Sequence, residues 1–162
     1  MKKIIILGGP TASGKSKFAL NLAKLVNGEI INADSMQIYK YFSILTSQPK
    51  KNDYKAIPHH LYGYVETNIK YNAIKWLNDT NTKIVKLLEN NKTPIVVGGS
   101  GLYLEFLCKG VNNMPKISKN TQEKVSLLLQ SMSDTDLLEL ITKVDKKYSL
   151  KLNVADKFRI SK

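Results

Sequence analysis

The residues Gly9-Pro10-Thr11-Ala12-Ser13-Gly14-Lys15-Ser16 match the pattern G-x-x-x-x-G-K-[ST] in full. Glycines at these places let the chain turn so tightly that successive N–H groups point into one concavity. The lysine adds a point charge, and the Ser16 hydroxyl is a hard oxygen that can hold Mg²⁺. The chemistry is phosphate binding, and the pattern leaves the reaction open. A second candidate is Asp34, in Asn32-Ala33-Asp34-Ser35-Met36-Gln37. It follows an apolar run, and a carboxylate just past the carboxyl end of a strand stands where open α/β sheets gather their ligands. General-base chemistry and an ordinary helix N-cap are its two readings. Ser100, in Gly98-Gly99-Ser100-Gly101, follows another apolar run. It would face the same crevice or else close a plain tight turn. The pair His59-His60 invites a metal, but adjacent histidines point in different directions and no further histidine completes a set. Structural or hydrogen-bonding roles are expected there.

These residues need elements to hold them. The apolar run Ile4 to Leu7 reads as a strand, and the phosphate loop leads from it into a helix with Phe18, Leu22, Leu25 and Val26 on one face and Gly28 as its C-cap. Glu29 to Ala33 is a second strand. Residues Ile38 to Tyr64 lack a clean period and hold Pro49, Pro58 and Gly63, so a long loop with short helical turns is expected. Ile74, Leu77, Ile84 and Leu88 repeat at helical spacing through Asn72 to Asn90, with Trp76 at the core or its rim. Thr93 to Val97 is unbroken in its apolar run, as a parallel strand buried on both faces should be, and Leu102 to Lys109 resumes a helix. Beyond Gly110, a linker with Asn112, Asn113 and Pro115 leads to helices over Thr121 to Met132 and Ser133 to Thr142, the second opened by a capping-box-like Ser133-x-x-Asp136. Leu127, Leu128, Leu137, Leu138 and Ile141 provide their apolar faces. The fold class expected is α/β: a parallel sheet of the P-loop NTPase kind with flanking helices over residues 1–111, then a small helical insertion over 112–162.

Composition bounds the function. With 162 residues and 43% hydrophobic content, one domain with a real core is affordable. A net charge of +12 suits an anionic partner, and a polyanion gains more from distributed lysines than a small ligand does. Arg159 is the only arginine among the 25 basic residues, so bidentate phosphate clamps are nearly absent. Lys143, Lys146, Lys147, Lys151 and Lys157 make the tail basic. Cys108 is the only cysteine, which excludes an intrachain disulfide and fits a reducing, cytoplasmic setting. No segment is long enough to span a membrane.

Taken together, GGPTASGKS, INADSMQIY, IPHHL, IVVGGSGLYL and ADKFRISK occur in order along the whole chain and resemble the tRNA dimethylallyltransferases. These move a five-carbon prenyl group from its diphosphate to the exocyclic amine of an adenine beside the anticodon. The phosphate loop is shared by many families; the DS-x-Q-x-Y and GG-[ST]-x-x-Y stretches make the match specific. The resemblance implies that dimethylallyl diphosphate is held by Gly9, Pro10, Thr11, Ala12, Ser13, Gly14, Lys15 and Ser16, with Mg²⁺ at Ser16. It implies that Asp34 takes the proton from the adenine amine, with Lys15 and Ser100 as further catalytic residues. It places tRNA contacts at Asp34, Ser35, Met36, Gln37, Ser100, Gln122, Phe158, Arg159, Ile160, Ser161 and Lys162, and implies a monomer when complete. There are departures: Ser43 to Gln48 lacks the expected glycine-threonine pattern, Ser100 stands where threonine is more usual, and Gln122 where an arginine commonly contacts tRNA. Two rival classes share the loop, a small-molecule or nucleotide kinase and a catalytically silent tRNA binder. Kinases normally gather several arginines around the transferred group. Only three strand candidates are visible, and the pattern from Asp156 stops within about two turns without a stop signal. An incomplete enzyme with weak or no transfer by the isolated chain is therefore expected.

Overall fold

The computed structural model describes residues 3–111, 117–153 and 157–160, and the chain divides into two compact units, Met1–Asn112 and Asn113–Lys162. The first unit runs β1 (Ile5–Gly8), α1 (Lys15–Leu25), β2 (Gly28–Asn32), α2 (Lys51–Ala56), β3 (His59–His60), α3 (Ala73–Glu89), β4 (Thr93–Gly98), α4 (Gly101–Lys109). All strand pairs are parallel and the sheet order is β1-β4-β2-β3. Every strand therefore ends at the same edge, where the turns after β1, β2 and β4 meet.

Alternation across the pleat splits the strand residues between two cores. Ile30, Ile95 and Val97 pack with Ala19 and Ala23 of α1 and with Ile57. Ile31 and Val96 face the other way, onto Trp76, Leu77, Ile84 and Leu87 of α3 and Tyr103 of α4. The apolar run of β4 is thus buried on both faces, as its sequence requires. α3 begins at Asn72, whose side chain accepts from Lys75 N, and is capped at Asn90. Trp76 is fully buried, and its Nε1 donates to Asn32 O at 2.8 Å.

Three expectations need correction. The packed face of α1 is Ala19 and Ala23, while Phe18 is 59% and Leu25 83% exposed. Two alanines one helical turn apart let α1 lie close on the sheet; Leu22 and Val26 pack partly against the same core, as expected, and Phe18 and Leu25 stay outside. Gly28 does not cap that helix. Asn27 takes the left-handed conformation (φ 51°), and Gly28 begins β2, where a Cβ would lie 2.8 Å from Ile95 Cδ1 and 3.0 Å from Thr93 O. The long loop also contains the helix α2 and a fourth strand: His59 and His60 pair with Ile30 and Ile31.

The second unit is helical: α5 (Lys119–Ser131), α6 (Asp134–Val144), α7 (Lys146–Ser149) and α8 (Lys157–Ile160). Ser118, Ser133 and Asp145 cap the first three, each side chain accepting a main-chain N–H. The predicted Ser133–Asp136 pairing forms: Ser133 Oγ accepts from Asp136 N at 3.2 Å and donates to its carboxylate at 2.6 Å. Leu137 is buried, whereas Leu127 and Leu128 of α5 are exposed. Asn112, Asn113, Pro115 and Asp156 lie outside the described residues. Among the described residues no helix is long and apolar enough to cross a membrane.

Candidate active site

Gly14 closes the turn after β1 at φ 81°, a conformation that L side chains rarely adopt, and Ala12 shares it at φ 63°. Left-handed residues in such a turn favour successive amides that point into one concavity. Among the described residues, the N–H groups of Thr11 to Ser16 donate to no main-chain carbonyl. The first turn of α1 adds its positive end to the same concavity. Lys15 folds over the loop, its ammonium donating to Pro10 O and, at 3.3 Å, to Ser13 Oγ. Ser16 is exposed at the first turn of α1 and lines an adjoining cleft.

The turn after β2 is built the opposite way. Asn32 is fully buried, and its amide grips both sides of Asp34: Oδ1 accepts from Asp34 N at 2.8 Å and Nδ2 donates to Asp34 O at 3.0 Å. The same Nδ2 donates to Leu61 O at 3.0 Å. Asp34 Oδ1 accepts from Met36 N at 2.9 Å. The carboxylate, partly exposed, is thereby held in one orientation.

The turn after β4 joins the other two. Ser100 Oγ accepts from Ser35 N at 2.8 Å, and Ser100 N donates to Ala33 O at 3.2 Å. A Cβ on Gly98 would come within 2.1 Å of the Ala33 carbonyl group, and one on Gly99 within 3.1 Å of Gly9 O. Glycines here serve the close approach of three main chains. Ser100 faces the shared edge, as expected, with its hydroxyl bound to the Asp34 turn.

Beside Ser16 opens a cleft of about 750 Å³, walled by Ala19 and Leu20 of α1, Ile30 and Val97 of the sheet, and Tyr54, His59 and Tyr62. The three rings form one cluster, with centroids 5.1 Å (Tyr54–His59) and 5.6 Å (His59–Tyr62) apart. Burial pushes the His59 pKa below the usual histidine range, and its Nδ1 hydrogen donates to Ile57 O at 2.7 Å. His60 instead pairs with Glu29 at 2.6 Å, so the expected hydrogen-bonding roles hold for both histidines. Burial, with the charges of Tyr54 and Asp34, holds the Tyr62 hydroxyl well above the ordinary tyrosine range. On the other face Tyr103 stacks on Trp76 (4.4 Å, 17°), and burial, with Tyr39 and Asp34, pushes its hydroxyl up to about 12.

Of the residues expected to meet tRNA, Met36 is exposed, and Gln37 Nε2 donates to Thr46 O (2.8 Å) and Ser47 O (3.2 Å) within its own loop. Gln122 lies on α5, its amide donating to Ile117 O at 3.3 Å, and Arg159 is exposed on α8. Ile160 is buried in the second unit and packs there. Ser161, Lys162 and the side chain of Phe158 lie outside the described residues. Asn32, Tyr54 and Tyr62 were not singled out in the sequence. The one visible signal was Asn32, a lone amide inside the apolar run Ile30-Ile31-Asn32-Ala33.

A model of the IPP transferase family matches residues 37–162. The chain belongs to that family. It is 44% identical to the tRNA dimethylallyltransferase of Pelagibacter ubique over 154 residues, and 42% identical to that of Rickettsia bellii over 159. Those alignments cover 95% and 98% of this chain but 49% and 50% of the relatives, so the chain spans about half their length. Among solved structures, a eukaryotic dimethylallyltransferase acting on tRNA superposes with a TM-score of 0.83 at 30% identity, covering 99% of this chain and 40% of that one. The full-length tRNA isopentenylpyrophosphate transferase of Bacillus halodurans gives 0.68 at 26% identity, covering 99% and 54%. The α/β parallel-sheet architecture is common to this family's structures.

Proposed function

We propose that this chain supplies the donor site and the proton acceptor for transfer of a dimethylallyl group from dimethylallyl diphosphate to the exocyclic amine of the adenine 3′-adjacent to the anticodon of a tRNA. The observation that carries the reading is contiguity. An open phosphate loop and a carboxylate gripped by its own turn follow strands that end at one sheet edge, and a cleft of mixed apolar and polar lining opens beside Ser16 of the loop. The names of the relatives support the reaction class, and the single arginine argues against phosphoryl transfer.

In this reaction the amine nitrogen attacks the first carbon of the prenyl chain, the carbon–oxygen bond breaks, and diphosphate leaves with the electron pair. The inward amides of Thr11 to Ser16 and the Lys15 ammonium receive the departing charge. Ser16, exposed beside the cleft, would hold Mg²⁺ together with phosphate oxygens of the donor; when bound, the ion neutralises the leaving diphosphate. The walls of Leu20, Ile30 and Tyr62 exclude water from the prenyl chain. Asp34 takes the proton from the amine nitrogen at Oδ2, since Oδ1 accepts from Met36 N. The adenine must leave its stack to reach that oxygen, and the lysine-rich surface attracts the tRNA that presents it. The complete protein would work in the cytoplasm, as a monomer.

The test is mass analysis of nucleosides from tRNA incubated with this chain, Mg²⁺ and dimethylallyl diphosphate. Weak formation of dimethylallyladenosine, above the no-donor control, is expected of a chain that spans about half the length of its relatives. Unmodified tRNA, with phosphate released from ATP, would replace the reading by a kinase.

A further inference from the structure

The loop over residues 36–48 begins two residues after Asp34 and carries a dense set of exposed apolar side chains. Tyr41 is 80%, Ile44 95% and Leu45 81% exposed, with Met36 and Phe42 also outside. This exposure does not come from a loose loop. Gln37 ties its two ends together through Thr46 O and Ser47 O, and Gln48 Nε2 donates to Tyr39 O at 2.9 Å. Inside, Thr46 N and Gln48 N donate to Phe42 O and Ser43 O, each at 2.9 Å. Tyr41 holds φ 68°, a left-handed conformation unfavourable for a bulky side chain. A ring held there against its own preference and displayed to solvent is no product of packing.

The loop has two sides. Ser43, Ile44, Ser47 and Gln48 line the cleft next to Ser16, whereas Met36, Tyr41, Phe42 and Leu45 do not. A contiguous exposed apolar patch marks an interaction surface. The chain carries +12 net charge, with Lys50 and Lys55 exposed on the segment that follows. Exposed rings followed by a lysine-bearing segment suit the faces and phosphates of unpaired nucleotides, because every base offers a π-face.

We propose that Tyr41, supported by Phe42 and Leu45, is a stacking platform for an unpaired RNA base neighbouring the one that reacts at Asp34. The proposal rests on the RNA substrate of the preceding reading. The loop divides the two substrates: Ser43, Ile44, Ser47 and Gln48 border the donor cleft, and the tip at Tyr41 takes the RNA.

The test compares the full chain with Tyr41→Gly, using an anticodon stem-loop RNA with 2-aminopurine in its loop. Glycine removes the ring and accepts φ 68°, so the melting temperature should hold or rise. RNA affinity should fall about tenfold with the 2-aminopurine quench lost, and the slope of affinity against salt should stay unchanged because no phosphate contact is removed. Leu45→Ser should weaken binding less. If the parent chain binds the RNA and Tyr41→Gly binds equally well, the platform is wrong while the RNA reading stands. If the parent chain binds no RNA at low salt, both fall. Binding to phosphatidylcholine vesicles that Tyr41→Gly abolishes, with RNA affinity untouched, would assign the tip to a membrane and overturn the proposal.

Discussion

The turns after β1 and β2 stand on either side of β4 at one sheet edge yet are built on opposite principles. After β1 the main chain leaves its amides without carbonyl partners and its lysine folded over the gap. After β2 the buried Asn32 amide and the Met36 N–H hold Asp34, while the Ser100 hydroxyl accepts from the next residue's N–H, that of Ser35. Unsatisfied amides cost stability when buried, but at an exposed helix start they are donors kept for an anion. A carboxylate that must meet one proton on one nitrogen gains from the reverse arrangement, since orientation fixed beforehand need not be established during the reaction. The donor is held by a surface that waits for it, and the proton by a group already placed.

The comparison breaks most sharply at Asp34. Asp34→Asn keeps the shape of the turn and both main-chain contacts to Asn32 but removes the proton acceptor. In an otherwise competent protein transfer should fall by roughly 10²- to 10⁴-fold, with an unchanged melting temperature and unchanged diphosphate affinity. Equal turnover would remove Asp34 from the chemistry.

Two glycines separate the turns by stability. At Gly98 an added Cβ meets the Ala33 carbonyl group at 2.1 Å, main chain that cannot step aside, so Gly98→Ala should cost about 3 kcal/mol. At Gly14 the space is open, and only the left-handed φ of 81° opposes a side chain, which costs about 1–2 kcal/mol. Denaturant unfolding of the two variants measures both; the reverse order would mean that the Asp34 turn is not packed as described.

Much of this was legible in the residues. The phosphate pattern stood out because it depends on a contiguous spacing, and Thr93 to Val97 because a strand buried on both faces needs an unbroken apolar run. Asp34 was visible as an acidic residue following such a run. The clamp on it was not, since Asn32 reaches Leu61 and Trp76, far along the chain, and no local period records such contacts. β3 escaped for a related reason: a two-residue strand exists only through pairing with β2. On α1 the helical spacing correctly marks Leu22 and Val26, which pack partly, but not Phe18 and Leu25, because close approach to the sheet favours Ala19 and Ala23 at the centre of the face.

A smaller effect belongs to the cleft wall. His59 has its pKa lowered by burial, so the unfolded chain binds more protons than the folded one as pH falls. Its contribution is fully present above the unfolded value of about 6.5 and is lost as pH drops through the folded value. Stability of the parent chain should therefore decline more steeply below pH 6.5 than that of His59→Gln. Parallel curves would show that this ring is not buried neutral.

The division between the waiting loop and the fixed turn is tested most directly by amide NMR of the ¹⁵N-labelled chain titrated with inorganic diphosphate and Mg²⁺. The signals of Thr11 to Ser16 should move on binding, while those of Asp34, Ser35 and Met36 stay within a small fraction of that shift. Large movements at Asp34 to Met36, or none at Thr11 to Ser16, would contradict it.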